Sequence, residues 1–414
     1  MRFVKKSADL SPIRDTVFAI VSLAVKDKKE NGDLVTDATI GSLFDENGMF
    51  VAFDSVFEHY NKIDRKVKGA YASSFRGDPV YCDNVYQWVT QGADLDLKHC
   101  VIATPGGSGA VSAGFMSFLE PGESILIPDI GWESYELMAR QNNLRAVTYE
   151  MFDDDHFNLH SVQKNIQTIM KEQDHIVLVL NDPCHNPSGY SMSYEEWGLL
   201  ISYLREVSKT HAVILINDIA YIDYSYNLNR SREYMNCFNA FTDNMMAVIA
   251  FSCSKALTSY GLRCGAAVIV SPNESAVTET GTAFEKIARS IWSNIPNAAM
   301  ANFSWVVTDN REAYLSEKQN YIDLLHERSE IFLNEAAECG LPLYPYREGF
   351  FITVRIEDND LVTRVHDALM KQHIYTVTVN KGIRIAVCSL SKRKTAGLAA
   401  RIAEVMHQVQ QEGE

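Results

Sequence analysis

The chain has 414 residues, with 38 Lys and Arg against 53 Asp and Glu, so its formal net charge at pH 7 is −15. This length predicts more than one domain, and the negative charge disfavours nucleic-acid phosphates and anionic membranes as partners. No run reaches the roughly 18 apolar residues of a membrane span, and the N-terminus lacks the apolar segment of a secretory signal, so we expect a cytoplasmic protein.

Seven short runs of apolar and β-branched residues between positions 100 and 271 predict the strands of one sheet. Most of them are continuous rather than alternating, which is typical of strands that are covered on both faces. Helix-like stretches at 109–118 and 194–210 lie between them, and the second follows the capping pattern Ser193-Tyr-Glu-Glu196. The runs are 100–103, 124–128, 145–149, 175–180, 212–216, 246–251 and 266–270. This alternation predicts an α/β fold with a mainly parallel, seven-stranded sheet.

The last third of the chain changes character. It contains a long helical stretch at 311–339, strand-like runs at 349–356 and 382–388, and a terminal helix at 394–411. The N-terminal residues have no obvious place in the central sheet. We therefore predict that both chain ends build a smaller α+β domain. The predicted division is 1–48 for the N-terminal arm and part of the small domain, 49–309 for the large domain, and 310–414 for the rest of the small domain.

Polar residues follow several predicted strands, at the edge where open α/β sheets bind ligands. Each has an ordinary interpretation alone: the glycine-rich loop 104–109 can be a packing device, and a lysine beside an apolar strand can extend along it. Together they would give one crevice a phosphate loop, an aromatic face, hydrogen-bond donors, a carboxylate and an amine. The residues are Gly107, Ser108, Trp132, Asn186, Asp218, Tyr221, Ser252, Lys255 and Arg263. Pyridoxal 5′-phosphate needs this combination, because it has a phosphate, a pyridine nitrogen, a phenolic oxygen and an aldehyde.

Three segments resemble, in this order, the class I aminotransferases of fold type I: His185-Asn-Pro-Ser-Gly189, Asp218-Ile-Ala-Tyr221, and Ser252-Cys-Ser-Lys255 followed by Arg263. The segments 40–48, 104–110, 289–296 and 382–387 resemble the aspartate and aromatic amino-acid aminotransferases within that class. The resemblance runs from about residue 16 to the C-terminus. It implies a large domain that binds pyridoxal 5′-phosphate, a small domain from both chain ends, and a homodimer with a shared active site.

The resemblance also implies a role for each matching residue. Lys255 would hold the cofactor covalently and then move a proton of the substrate. Asp218 would pair with the pyridine nitrogen, and Asn186 and Tyr221 would hydrogen-bond the ring oxygen. The phosphate would be bound by Gly107, Ser108, Ser252 and Arg263, and the ring would stack on Trp132.

Further residues would bind the substrate or reach across the dimer. Arg384 would bind the α-carboxylate through two parallel hydrogen bonds that lysine cannot reproduce, with Gly41 and Asn186 beside that carboxylate. Arg289 of the neighbouring subunit would bind the side-chain carboxylate of aspartate or glutamate. Tyr71 would reach the phosphate across the same interface, although its spacing to Gly77 is one residue longer than in the family.

These residues predict a ping-pong aminotransferase that moves an amino group between Asp or an aromatic L-amino acid and 2-oxoglutarate. Tyr135 and Asn181 stand where the family often has histidines that support the aspartate, so the surroundings of the pyridine nitrogen are expected to differ. A C–S lyase or an aminocyclopropane-carboxylate-synthase-like enzyme would use the same catalytic residues, and a non-catalytic cofactor-binding regulator is a more distant alternative. No metal site is expected, because the 8 Cys and 11 His show no ligand spacing.

Overall fold

The computed structural model of the chain describes residues 3–5, 10, 16–228 and 230–412. Within that part, the backbone divides into two compact units. Unit 1 falls within Met1–Leu10, Ala52–Pro183 and Met192–Lys318, and unit 2 within Ser11–Val51, Cys184–Ser191 and Gln319–Glu414.

The α-helices are, in chain order, α1 (Thr16–Asn31), α2 (Asp54–Lys62), α3 (Arg65–Gly69), α4 (Pro79–Thr90), α5 (Gly106–Ser117), α6 (Ser134–Gln141), α7 (Leu159–Ile169), α8 (Tyr194–Val207), α9 (Cys253–Ala256), α10 (Glu274–Ile291), α11 (Asn297–Val307), α12 (Arg311–Cys339), α13 (Asn359–Lys371), α14 (Lys392–Thr395) and α15 (Leu398–Gln411). The strands are β1 (Thr36–Asp37), β2 (Lys98–Thr104), β3 (Ser124–Pro128), β4 (Arg145–Tyr149), β5 (Phe152–Asp153), β6 (His156–Phe157), β7 (His175–Asn181), β8 (Ala212–Asp218), β9 (Met245–Ser252), β10 (Gly265–Ser271), β11 (Phe351–Arg355), β12 (Ile374–Tyr375), β13 (Val377–Val379) and β14 (Gly382–Ala386).

The main sheet of unit 1 has the strand order β2-β10-β9-β8-β7-β3-β4. Neighbouring strands pair in parallel except at β10, which is antiparallel to both β2 and β9. The predicted mainly parallel, seven-stranded sheet is therefore confirmed. Every residue of β9 is buried, as its continuous apolar run predicts for a strand covered on both faces. Because β2, β7, β8 and β9 run in the same direction, their carboxyl ends meet at one edge of the sheet.

Helix α8 begins with the predicted capping box. The Ser193 hydroxyl accepts a hydrogen bond from the main-chain N–H of Glu196, and the Glu196 carboxylate accepts one from the main-chain N–H of Ser193. The helix ends at Val207 rather than at 210.

Unit 2 is an α+β structure built from both ends of the chain. It holds the antiparallel sheet β11-β14-β13 and the parallel pair of β1 with β12. Ile20 and Ala24 of α1 pack in a small core with Val35 and Tyr375. The predicted terminal helix 394–411 is two helices, because Gly397 has a φ of +78°, which a right-handed helix does not accommodate.

The compact units divide at 51/52 and 318/319, which lie three and nine residues beyond the predicted boundaries at 48/49 and 309/310. Segment Cys184–Ser191, which we assigned to the large domain, groups with unit 2. Its hydrogen bonds explain this grouping: Thr353 donates to the Pro187 carbonyl at 2.7 Å, and the Gly189 carbonyl accepts from the N–H groups of Arg347 and Glu348. In the described part of the chain, no helix combines the length and the apolar character needed to cross a membrane.

Candidate active site

Asp218 is the last residue of β8, at the carboxyl edge of the unit 1 sheet. Its side chain is buried, with 5% of its surface exposed. Oδ2 accepts a hydrogen bond from the Tyr135 hydroxyl at 2.7 Å, and Oδ1 accepts one from the main-chain N–H of Ala220 at 3.1 Å. Burial raises the pKa of the Asp218 carboxyl, while these two hydrogen bonds favour the charged form and oppose the rise. The sheet therefore presents a buried carboxylate held in place by two donors.

Tyr135 and Asn181, which stand where the family often has histidines, play different parts around this carboxylate. Tyr135 lies in the first turn of α6 and is fully buried, and its ring contacts Trp132 edge-on with centroids 5.5 Å apart. Burial and the negative charge of Asp218 raise the pKa of Tyr135 well above its ordinary value, so its hydroxyl stays neutral and donates. Asn181 instead donates to the main-chain carbonyl of Asp218 at 2.8 Å. Tyr135 thus contacts the carboxylate, whereas Asn181 holds the backbone.

Lys255 lies in α9, immediately after β9, the strand next to β8. Its Nζ is 5.3 Å from the ring centroid of Tyr221 and 4.7 Å from that of Tyr260. Both rings offer a negative face to a cation. The structure therefore places Lys255 beside Tyr221, another residue predicted for the same crevice, and adds Tyr260, which no sequence motif marked.

The glycine loop between β2 and α5 lies against Arg263. Gly106 has a φ of +72°, and a Cβ built on it would lie 2.6 Å from Nη2 of Arg263. Arg263 has a φ of +51° and donates through Nη2 to the Pro105 carbonyl at 3.2 Å and through Nη1 to the Ser254 hydroxyl at 3.1 Å. A side chain at position 106 would push the guanidinium away from the loop.

The first turn of α5 and the cap of α9 complete this corner. Gly107 approaches Ser252 so closely that an added Cβ would be 3.3 Å from the serine Cβ. The Ser252 hydroxyl accepts from the main-chain N–H of Ser254 at 3.2 Å and so caps α9. Ser108 and Trp132 are half-buried. Ser254 was not selected from the sequence, although its position one residue before Lys255 is a signal that could have identified it.

Unit 2 contains the arginine that is predicted to bind the α-carboxylate of the substrate. Arg384 lies in the middle of β14 and is 8% exposed. It donates through Nη2 to the Thr39 carbonyl at 2.8 Å and through Nη1 to Oδ1 of Asn186 at 3.2 Å. Its guanidinium lies 4.4 Å from the ring centroid of Phe351. The structure thus brings Arg384 and Asn186 together, with half-buried Gly41 two residues after Thr39.

Tyr71 and Arg289 lie on the surface of unit 1. Tyr71 is 86% exposed. Arg289, near the end of α10, donates to the Ser293 hydroxyl at 2.7 Å and stacks on the Phe75 ring at 4.7 Å. Their assignment to the active site of a neighbouring subunit stays a prediction. Within the residues described, no cluster of three or more His, Cys, Asp or Glu side chains is placed to hold a metal ion.

The profile of the family described as "Aminotransferase class I and II" matches residues 39–402. The aromatic-amino-acid aminotransferase of Pseudomonas aeruginosa is 22% identical over 266 residues, or 63% of this chain and 64% of that protein. The aspartate aminotransferase of Escherichia coli K12 is 23% identical over 248 residues, or 56% of this chain and 61% of that protein. The chain thus matches less than two thirds of the length of either relative.

Solved structures match over nearly the whole chain. An aminotransferase from Anaerococcus prevotii superimposes with a TM-score of 0.94 at 30% identity, covering 98% of this chain and 99% of that one. The aromatic-amino-acid aminotransferase from Burkholderia pseudomallei, described as covalently bound to pyridoxal phosphate, has a TM-score of 0.78 at 21% identity. The match covers 98% of this chain and 100% of the Burkholderia chain. At 21% identity, the match to the Burkholderia enzyme shows a similar fold and nothing more specific.

Proposed function

Because the chain belongs to the class I and II aminotransferases, we propose that it is a pyridoxal 5′-phosphate-dependent transaminase that exchanges an amino group between an amino acid and a 2-oxo acid. One observation carries the proposal. A buried carboxylate (Asp218), an amine facing two aromatic rings (Lys255) and a glycine loop backed by a guanidinium (Arg263) all belong to unit 1 and follow its strand ends. These groups suit a ring nitrogen, an aldehyde and a phosphate respectively.

The glycine loop supports the fit of a phosphate. A side chain at Gly106 would meet the Arg263 guanidinium, so glycine keeps the main chain of the loop next to that cation. The first N–H groups of a helix have no partner within the helix and can bind an anion. The same residues form the N-terminus of α5, a helix of 12 residues whose dipole favours a negative charge there. Ser108, Gly107 and Ser252 complete the proposed phosphate site, to which Tyr71 of a neighbouring subunit would add a hydroxyl.

Bound pyridoxal phosphate would supply an aldehyde that amines add to and a ring that accepts electron density from the substrate Cα. Lys255 is the residue proposed to hold the cofactor and to take and return the proton at that Cα. The rings of Tyr221 and Tyr260 attract its Nζ when it is protonated, which keeps the proton-carrying amine next to Tyr221.

Asp218 is proposed to keep the pyridine nitrogen protonated. A buried carboxylate attracts a neighbouring cation more strongly than an exposed one does, because little water screens it. Tyr135 holds the carboxylate in orientation and stays neutral itself. Tyr221 and Asn186 would hydrogen-bond the ring oxygen, and Trp132, which packs against Tyr135, would cover the ring.

Arg384 is proposed to bind the α-carboxylate of the substrate, with Asn186 and Gly41 beside it. Arg289 of a neighbouring subunit would bind a second carboxylate, which favours glutamate and 2-oxoglutarate as the shared pair, with Asp or an aromatic amino acid as the other donor. The enzyme would work by a ping-pong mechanism as a cytoplasmic homodimer.

The proposal is tested by comparing the wild-type protein with Lys255→Ala after reconstitution with pyridoxal phosphate. We expect the wild type to be yellow, to bleach when mixed with an amino donor, and to need a 2-oxo acid for turnover. Lys255→Ala should lose both the covalent cofactor and turnover, while Lys164→Ala, at an exposed position of α7, should keep both. A colourless reconstituted wild type would refute the proposal. Release of pyruvate and ammonia from a single substrate would instead indicate a lyase.

A further inference from the structure

A buried ionic cluster lies in unit 1 next to α9, the short helix that carries Lys255 and that we call the Lys255 turn. Its members are Trp88, Asp223, Arg232, Tyr314 and Lys318, and each is at most 2% exposed. Oδ1 of Asp223 accepts from Nη2 of Arg232 at 2.7 Å and from Nζ of Lys318 at 3.4 Å. Oδ2 accepts from the Trp88 indole N–H at 3.1 Å. We call this set the Asp223 cluster.

The Asp223 cluster contains two cations and a single carboxylate. The two cations and the indole N–H hold the pKa of Asp223 down, at about 2, despite its burial. Burial lowers the pKa of Lys318 to about 8, because the attraction of Asp223 only partly offsets desolvation and Arg232 and Arg311 repel the ammonium. A buried set with an excess cation is a poor way to gain stability, since desolvation costs several kcal/mol per ion. Its arrangement therefore calls for a reason other than stability.

Lys318 joins two turns that carry residues of the proposed active site. Its Nζ donates to the Tyr314 hydroxyl at 3.2 Å as well as to Asp223. The Tyr314 hydroxyl donates in turn to the main-chain carbonyl of Ala256 at 2.6 Å, and Ala256 directly follows Lys255. Asp223 lies in the 3₁₀ turn Ile222–Tyr224, whose N-terminal cap is Tyr221 and which we call the Tyr221 turn.

Two aromatic rings of the Asp223 cluster also contact the Lys318 ammonium. Nζ of Lys318 is 4.7 Å from the ring centroid of Tyr314 and 5.0 Å from that of Trp88. Arg311 covers the Trp88 ring at 5.0 Å. Hydrogen bonds and ring contacts thus hold one ammonium between α4, α12 and the turn after β8, with little freedom to move.

We propose that Lys318 is a positioning residue for the transaminase site, which acts through Tyr314 and Asp223 to hold the Lys255 turn and the Tyr221 turn at a fixed separation. The inference rests on the proposed function, because the spacing matters only if Lys255 and Tyr221 act on one cofactor. Without the Lys318 ammonium, the two turns would lose this link, and their separation would depend on the β8–β9 ladder that ends beside them. The orientation of the Lys255 amine toward the ring of Tyr221 would then vary, and the chemical step would slow while substrate affinity stayed the same.

The test uses the full-length protein loaded with pyridoxal phosphate and two variants, Lys318→Met and Tyr314→Phe. Tyr314→Phe leaves the ion pair intact and removes the link to Ala256, so it remains informative if Lys318→Met folds poorly. Tyr149→Phe is the matched control, because Tyr149 is also fully buried in unit 1 and donates to a main-chain carbonyl, that of Val179, at 3.1 Å. For each protein, we would measure kcat, KM, and the pH midpoint of the absorbance change of the bound cofactor.

We expect Tyr314→Phe to lower kcat about 3- to 10-fold, which corresponds to the loss of one hydrogen bond, with KM unchanged and the spectral midpoint shifted. Lys318→Met should change kcat and the midpoint in the same direction and by at least as much. The inference is overturned if both variants keep the wild-type kcat and midpoint, or change only as Tyr149→Phe does. A wild type that neither binds the cofactor nor transaminates would overturn the proposed function as well, so the two failures are distinguishable.

Discussion

Replacement of Tyr135 by Phe should separate the effect of its ring packing from the effect of its hydrogen bond to Asp218. The variant keeps a ring to pack against Trp132 and loses the hydroxyl that donates to Oδ2 of Asp218 at 2.7 Å. The main-chain N–H of Ala220 remains on the other carboxylate oxygen, at 3.1 Å. Asp218 would therefore stay in place but lose the donor with the shorter hydrogen bond.

The size of the effect of losing this hydrogen bond follows from the burial of both Tyr135 and Asp218. Tyr135 is 1% exposed and Asp218 is 5% exposed, so water cannot readily replace the lost donor. A hydrogen bond to a charged acceptor contributes about 1.5–3 kcal/mol, which corresponds to a factor of about 10 to 100. Since this hydrogen bond opposes the rise caused by burial, its loss would move the pKa of Asp218 further up and favour the neutral acid. We expect a neutral Asp218 to hold the protonated pyridine nitrogen less firmly.

The assay is the single-turnover half-reaction of the cofactor-loaded enzyme with glutamate, followed by bleaching between pH 6 and 9. We expect Tyr135→Phe to react about 10- to 100-fold more slowly than the wild type. Tyr149→Phe, which loses a hydrogen bond to the Val179 carbonyl, controls for the general effect of removing a buried hydroxyl. If Tyr135→Phe reacts within twofold of that control across the pH range, the Tyr135 hydroxyl does not support the charge of Asp218 as we propose.

Three further predictions concern the arginines and Lys318. Arg384→Lys should raise KM for every amino donor about 10- to 100-fold, because a lysine cannot make two parallel hydrogen bonds to a carboxylate, and steady-state kinetics with six amino acids would show it. Arg289→Ala should slow the half-reactions of Asp and Glu but not those of Tyr, Phe, Leu or Ala, and an equal loss for all six would contradict its role. Lys318 has a pKa of about 8 in the folded chain against an ordinary 10.5, so the unfolded chain binds the additional proton between these values and folding becomes more favourable as pH rises. Urea unfolding should therefore show the wild type gaining about 2 kcal/mol relative to Lys318→Met from pH 7.5 to 9.5, and parallel curves would contradict the shift.

Local patterns in the sequence were sufficient to predict the sheet. The continuous apolar runs form strands because a strand covered on both faces needs apolar residues on both sides. A few consecutive residues are enough to show this pattern. The long helix Arg311–Cys339 was predicted for a similar reason. The strand ends were less well defined: β8 extends to Asp218, two residues past its predicted apolar run, because the ladder to β9 continues through the polar residues.

The candidate residues at strand ends were also predicted, since strands that run in parallel end at the same edge of a sheet. Lys255 and Asp218 could be selected in this way and Arg263 from its spacing after Lys255, with the family resemblance adding their roles. Ser254 and Tyr260 were missed because a polar or aromatic residue in a turn has no periodicity that marks which way its side chain points.

The tertiary structure alone decided which side chains meet over long distances in the sequence. Tyr135 contacts Asp218 across 83 positions, Lys318 contacts Asp223 across 95, and Arg384 contacts Asn186 across 198. The length, composition and apolar pattern of the chain determined an α/β sheet and a set of polar strand ends. They could not determine these pairings, because hydrophobic periodicity fixes which face of an element is buried, whereas the packing of whole elements decides which charged or polar group lies opposite on that face.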